Sequence, residues 1–124
     1  MPLIEPGIKK LIEDNALSFC TVDAAGQPHS IAVAYCKVFD DQVIISNSHI
    51  EESIENLRVN PNVSLAVWNK EWETACVGFE LKGTAENQTS GKWLDFVKEM
   101  PDNEGYDIKS AIVVTVTSVK KLLS

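Results

Sequence analysis

Apolar residues recur along the chain with two periods, and the switches between them mark out the elements. Ile8, Leu11 and Ile12 stand three and four apart, with Pro6 acceptable in a first helical turn and Asn15 suited to a stop. A short amphipathic helix is therefore predicted over Pro6 to Asn15. Leu17 to Val22 is apolar and partly β-branched, Asp23 to Gln27 carries turn residues, and His29 to Val38 reads as a second strand, so the three make a hairpin. On that second strand Ile31, Val33 and Tyr35 share one face. The small Ala32, Ala34 and Cys36 share the other, which leaves room for something flat to lie on the backbone. Phe39 to Gln42 then turns the chain into Val43 to Ser46, and the first three strands read as an antiparallel meander.

The stretch from Val43 to Trp68, VIISNSHIEESIENLRVNPNVSLAVW, reads as strand, polar turn, short helix and strand. Ser48 and Glu51 have capping-box spacing, which predicts a helix start at Ser48. Ile50, Ile54 and Leu57 would form its apolar stripe, and Asn60-Pro61 would end it because proline disfavours helical geometry at the residue before it. Val63, Leu65 and Val67 then alternate with Ser64 and Ala66 as a half-buried strand. After a turn at Asn69 to Thr74, Ala75 to Glu86 alternates again, with Val77, Phe79, Leu81 and Ala85 on the apolar side. Ser90 is placed to cap a helix carrying Trp93, Phe96, Val97 and Met100, which Pro101 to Gly105 closes. A last strand is predicted from about Ala111 to Val119. About six alternating strands with three short helices at the connections imply a mainly β fold, an antiparallel barrel or sandwich with its helices outside. A barrel this small has no internal cavity for a large ligand, which must sit outside it or between two copies.

Composition narrows the function classes. The 124 residues suffice for one core, so a single domain over residues 1–124 is expected. A net charge of −7 with Arg58 as the single arginine argues against a nucleic-acid partner, which needs clustered cations to displace counterions. The N-terminal residues carry both acid and base, and no apolar run approaches the roughly 20 residues that span a bilayer. A cytoplasmic protein with no membrane partner is expected. Cys20, Cys36 and Cys76 are odd in number, lack tight spacing and sit in apolar segments, so they read as reduced core residues. His29 and His49 lie at no metal-ligand spacing from them, and no metal site is expected. The strand that delivers Ser46, Asn47 and Ser48 to a helix N-terminus is a place where an anion can dock, since free N–H groups and the positive end of the helix dipole point there.

These motifs, in this order, resemble the FMN-binding split β-barrel proteins related to pyridoxamine 5′-phosphate oxidase. The resemblance rests on FCTVDAAGQPH (Phe19 to His29), YCKVFDD (Tyr35 to Asp41), the Val43 to Trp68 segment and GFELKGTAE (Gly78 to Glu86), and covers most of the chain. It implies a six-stranded antiparallel split β-barrel with Greek-key connections, a homodimer, and FMN bound on each side of the subunit interface. It places Ala32, Val33 and Ala34 beside the flavin ring and makes Lys37 the cationic neighbour of the flavin or its substrate. Ile45 and Ser46 match the strand end at the ribityl phosphate, and Asn47 and Ser48 lie next to it. Glu52 and Ser53 match a pair that is commonly basic in the family, so Glu52 reverses a charge while Ser53 keeps a donor. Gly78 stands where some relatives carry an amide side chain. The substrate-binding segments of the vitamin B6 oxidases find no match here. The resemblance implies an FMN-dependent oxidoreductase or electron carrier. The alternatives are a non-enzymatic binder of a deazaflavin or of haem, with His49 as the haem-ligand candidate, and a cofactor-free dimeric interaction domain.

Overall fold

The computed structural model describes residues 2–123, with the Leu123 side chain outside the description. The chain runs α1 (Pro6–Asp14), β1 (Leu17–Val22), β2 (Pro28–Val33), β3 (Lys37–Phe39), β4 (Gln42–Asn47), α2 (Glu52–Val59), β5 (Asn62–Trp68), β6 (Gly78–Gln88), α3 (Lys92–Glu99), a 3-10 turn at Pro101–Asn103, and β7 (Ser110–Leu123). The strands form one antiparallel sheet in the order β2-β1-β5-β6-β7-β4-β3. It is a split barrel: mostly β, curled around one core, and open between its two edge strands.

That opening corrects the expected meander. The predicted strand His29 to Val38 is two strands, and they lie at opposite edges of the sheet. β2 pairs only with β1, whereas β3 pairs with β4. Between them Tyr35 takes a left-handed conformation with φ 58°, which redirects the chain and ends the alternation expected through Cys36. The sheet therefore has seven strands where six were expected.

The core inside the curl takes alternate residues from the strands: Leu17 and Phe19 of β1, Val43 and Ile45 of β4, Val63, Leu65 and Val67 of β5, and Leu81 and Ala85 of β6. Ile8 and Ile12 of α1 close one end, as their spacing predicts. A second cluster packs α3, through Leu94 and Val97, onto the outer side of β4 and β7 at Ile44, Ala111 and Val113. Phe39, Trp93 and Phe96 form an aromatic group beside it, with ring centroids 5.2 to 6.2 Å apart. The strand limits differ modestly from expectation: β6 starts at Gly78 rather than Ala75, and β7 extends through Leu123.

Neither sequence-predicted helix cap forms. α2 begins at Glu52 with no side-chain cap, so the expected Ser48–Glu51 box is absent, and α3 follows Gly91 rather than a capping Ser90. A competing local bond explains the first case. Asn47 Oδ1 accepts from the Ile50 N–H at 2.7 Å, which folds the residues before α2 into a turn and leaves Ile50 outside the helix. The cysteines also divide. Cys36 is buried, Cys20 is half-buried and Cys76 is exposed, so only the first is a core residue. No helix among the described residues is long and apolar enough to cross a membrane.

Candidate functional site

A depression of about 550 Å³ lies where the free edge of β2 meets the N-terminus of α2. β2 and the residue after it contribute His29, Ile31, Ala32, Val33 and Ala34; the end of β4 and the following turn contribute Ser46, Ser48, His49 and Ile50; and Glu51, Glu52 and Ser53 form the helix head. The edge position explains why a pocket exists here: β2 has no strand beyond it, so the barrel wall stops and the helix covers only part of the gap.

α2 is docked by polar groups rather than by an apolar stripe alone. Asn56 donates from Nδ2 to Thr21 Oγ1 of β1 at 3.0 Å, with both residues buried, and Ser53 is buried on the same side. Ile54 and Leu57 pack on the core only partly. This orientation turns the first turn of α2, with its unpaired N–H groups, toward the pocket. Ser53 Oγ and Ser48 Oγ are both buried and lack a hydrogen-bond partner among the described residues. A buried hydroxyl without a partner costs free energy, and two of them beside a helix N-terminus make a cradle suited to an anion.

The charges on the rim temper that cradle. Glu51 and Glu52 are exposed at the helix head, and Glu52 with the buried Ser53 stands where the resemblance has a commonly basic pair. Glu52 is not free: its Oε2 lies 2.8 Å from His29 Nδ1.

Of the ten residues singled out from the sequence, Ala32, Val33, Ala34, Ser46, Ser48, Glu52 and Ser53 come together at this pocket. Asn47 and Ile45 are beside it but face inward. Ile45 belongs to the core, and Asn47 spends its side chain on the turn, donating to Ser110 Oγ at 2.8 Å while accepting from Ile50. Ser46 Oγ accepts from Asn103 Nδ2 at 2.8 Å, which ties the strand end to the turn after α3. Lys37 is not brought to the pocket within one chain. It heads β3 at the far edge of the sheet and lines a separate hollow with Phe96, Glu99 and Met100. Cys36, next to it, is no nucleophile, since burial pushes its thiol up to about 12 against a small opposing effect of Lys37.

Sequence reasoning assigned no site role to His29, Ile31 or Ile50. The signal for Ile31 was present in the small-residue strand. The pairing of His29 with Glu52 joins residues 23 apart in sequence, and no local pattern encodes it.

The family model described as pyridoxamine 5′-phosphate oxidase matches residues 4–122. An uncharacterised protein of Methanocaldococcus jannaschii, MJ0282, is 27% identical over 120 residues, spanning 93% of this chain and 78% of that protein. The structure of HupZ from Group A Streptococcus is 25% identical with a TM-score of 0.87, covering 98% of this chain and 95% of that one. Two more distant structures share the fold. One is an FMN-binding protein from Syntrophomonas wolfei (16% identity, TM-score 0.80, 92% and 82% coverage). The other is the haem storage protein HutZ from Vibrio cholerae (23%, 0.68, 97% and 94%).

Proposed function

The chain belongs to the pyridoxamine 5′-phosphate oxidase family, and from that premise we propose that it is an FMN-dependent redox protein, a small-molecule oxidoreductase or an electron carrier, acting as a homodimer in the cytoplasm. The observation that carries the cofactor assignment is the pair of buried, unpartnered hydroxyls of Ser48 and Ser53 at the head of α2. In this reading both hydroxyls and the first N–H groups of α2 hold the phosphate. Asn47 keeps the Ser48 turn in place through its bonds to Ser110 and Ile50. Ala32 and Ala34 leave the edge of β2 low enough for a planar ring to approach its backbone. The flavin, when bound, supplies the electron or hydride transfer, and the protein supplies position and exclusion of water. Lys37 joins the site only through dimerisation, since within one chain it opens onto a different hollow. The same geometry supports a homodimer, because a depression on the open edge of one barrel covers a ligand on one side only.

An absorption spectrum of the protein purified without added cofactor tests the assignment, followed by light scattering. Flavin bands and a dimer are expected. A Soret band would replace flavin by haem, for which His49 on the pocket wall is the ligand candidate. The absorption of a deazaflavin would replace one flavin by another, and a colourless protein that takes up no FMN would leave the cofactor-free interaction domain. A strict monomer at micromolar concentration would overturn the interface model. Anaerobic mixing of the loaded protein with NADH or NADPH then tests for a donor.

Ser53→Ala separates binding from folding. Removing a fully buried hydroxyl with no partner should leave the ligand-free protein as stable as before, or more stable by about 1 kcal/mol. FMN should bind about tenfold more weakly, while riboflavin, which lacks the phosphate, should be unaffected. Urea melts and flavin titrations read the two effects, and a loss of stability without a loss of FMN affinity would make Ser53 a packing residue.

A further inference from the structure

Ser46 lines the pocket at the head of α2, but the residue that decides what its hydroxyl can do lies 57 positions away in the chain. Asn103 ends the 3-10 turn after α3 and is only 7% exposed. Its backbone is held on both sides: its N–H donates to the Met100 carbonyl at 3.0 Å, and its carbonyl accepts from the Tyr106 N–H at 3.0 Å. Its side-chain nitrogen donates to the Val97 carbonyl at 2.8 Å and to Ser46 Oγ at 2.8 Å, with Met100 Sδ at 3.7 Å. The Val97 carbonyl can only accept. It therefore identifies the Asn103 atom beside it as the NH2 group, since the two ends of a side-chain amide are told apart by their partners. The same NH2 group meets Ser46, so Ser46 Oγ must be the acceptor of that bond. A serine hydroxyl also has one proton to give, and among the described residues Ser46 Oγ donates no hydrogen bond.

We propose that Asn103 is a positioning residue of the anion site: by donating to Ser46 it commits that hydroxyl to act as a donor, and Ser46 gives its proton to an oxygen of the phosphate held at α2. The proposal rests on the FMN reading above and adds a residue that sets the polarity of the site without touching the ligand. Three observations support it. The pocket that Ser46 lines also holds Ser53 Oγ, fully buried and unpartnered among the described residues, which points independently to a ligand at this place. Ser46 is fixed in the β4 ladder opposite Ala111 and Asn103 is fixed in its turn, so the donor is set before a ligand arrives and binding requires little rearrangement. The third is the acidic rim of Glu51 and Glu52, which supplies no positive charge to select an anion. A hydroxyl free to rotate serves donors and acceptors alike. One held as a donor favours the acceptor-only oxygens of a phosphate.

FMN and riboflavin titrations into wild type, Ser46→Ala, Asn103→Asp, the double variant of the two, and Ser53→Ala test the proposal. Asn103→Asp keeps the shape of the side chain but exchanges the donating NH2 group for an acceptor, so the Ser46 proton turns to it and away from the ligand. FMN should bind about tenfold more weakly to Asn103→Asp and to Ser46→Ala, while riboflavin should be unaffected. In the Ser46→Ala background the aspartate should cost nothing further, because the hydroxyl through which Asn103 acts is gone. An equal loss of FMN and riboflavin in Asn103→Asp would make the residue a structural brace, and a loss of FMN that persists in the Ser46→Ala background would be an effect of the added charge. Either result overturns the proposal. Ser46→Ala leaves the bond from Asn103 to Val97 in place, so it keeps the test decisive if Asn103→Asp fails to fold: undiminished FMN affinity there overturns the proposal as well. If the Ser53→Ala effect is intact when that happens, this proposal falls alone. No binding of either flavin to the wild-type protein would overturn the flavin reading and this proposal together.

Discussion

Glu52→Lys should tighten FMN by about tenfold or more and leave riboflavin nearly unchanged. Glu52 sits at the head of α2, where the ligand's phosphate settles in the proposed site. A unit charge about 6 Å from another is worth roughly 3 kcal/mol at an effective dielectric near 20, and that is a ceiling. The Glu52 side chain is 69% exposed and His29 already takes up one of its oxygens, so screening reduces the penalty to about 1 kcal/mol. Reversing the charge removes that penalty and adds an attraction of similar size, which covers the roughly 1.4 kcal/mol of a tenfold change. Because Glu52 is exposed and the His29 contact lies at the surface, folding should be little affected. Titration of both flavins into both proteins at low salt is the measurement, and the gain should shrink as salt is added. Equal responses of FMN and riboflavin would show that the phosphate does not sit at this helix.

Gly83→Ala should destabilise the protein by roughly 3 kcal/mol or more. Gly83 lies in β6 where its ladder with β7 shifts register, between Lys82 and Gly83. A Cβ there would run into the backbone carbonyl of Thr115 and the Cα of Val116. Backbone has no rotamer to escape into, so the two strands must part. The cost extends along the sheet, because the next ladder, β7 with β4, is pinned nearby by the Val116 N–H donating to the Asp41 carbonyl at 2.9 Å. In urea the unfolding midpoint should fall by about 1 M or more, given slopes of about 1–3 kcal/mol per M for small domains. An unchanged midpoint would mean that the bulge can relax.

Local chemistry made much of the fold legible. Apolar alternation located β1, β5 and the middle of β6, and the three-and-four spacing of Ile8, Leu11 and Ile12 located α1, because each pattern reports which face of a single element is buried. The Asn60-Pro61 stop held, since proline acts on its own neighbour: α2 ends at Val59 and β5 starts at Asn62. The capping box failed for the opposite reason. Ser48 and Glu51 have the right spacing, but Asn47, held by Ser110 from 63 residues away, captures the Ile50 N–H first.

The sequence by itself therefore determined which segments are strands and helices, which face of most of them is apolar, and that a polar strand end meets a helix head. These depend on residues a few positions apart. Only the tertiary structure decided that Tyr35 splits one apparent strand into the two edges of the barrel, that Lys37 is carried to the far edge, and that His29 reaches Glu52. It also decided that the hydroxyls of Ser48 and Ser53 are buried without a partner. Those outcomes follow from sheet order and from contacts between distant segments, where burial and geometry are properties of the whole assembly of strands and not of any stretch within it.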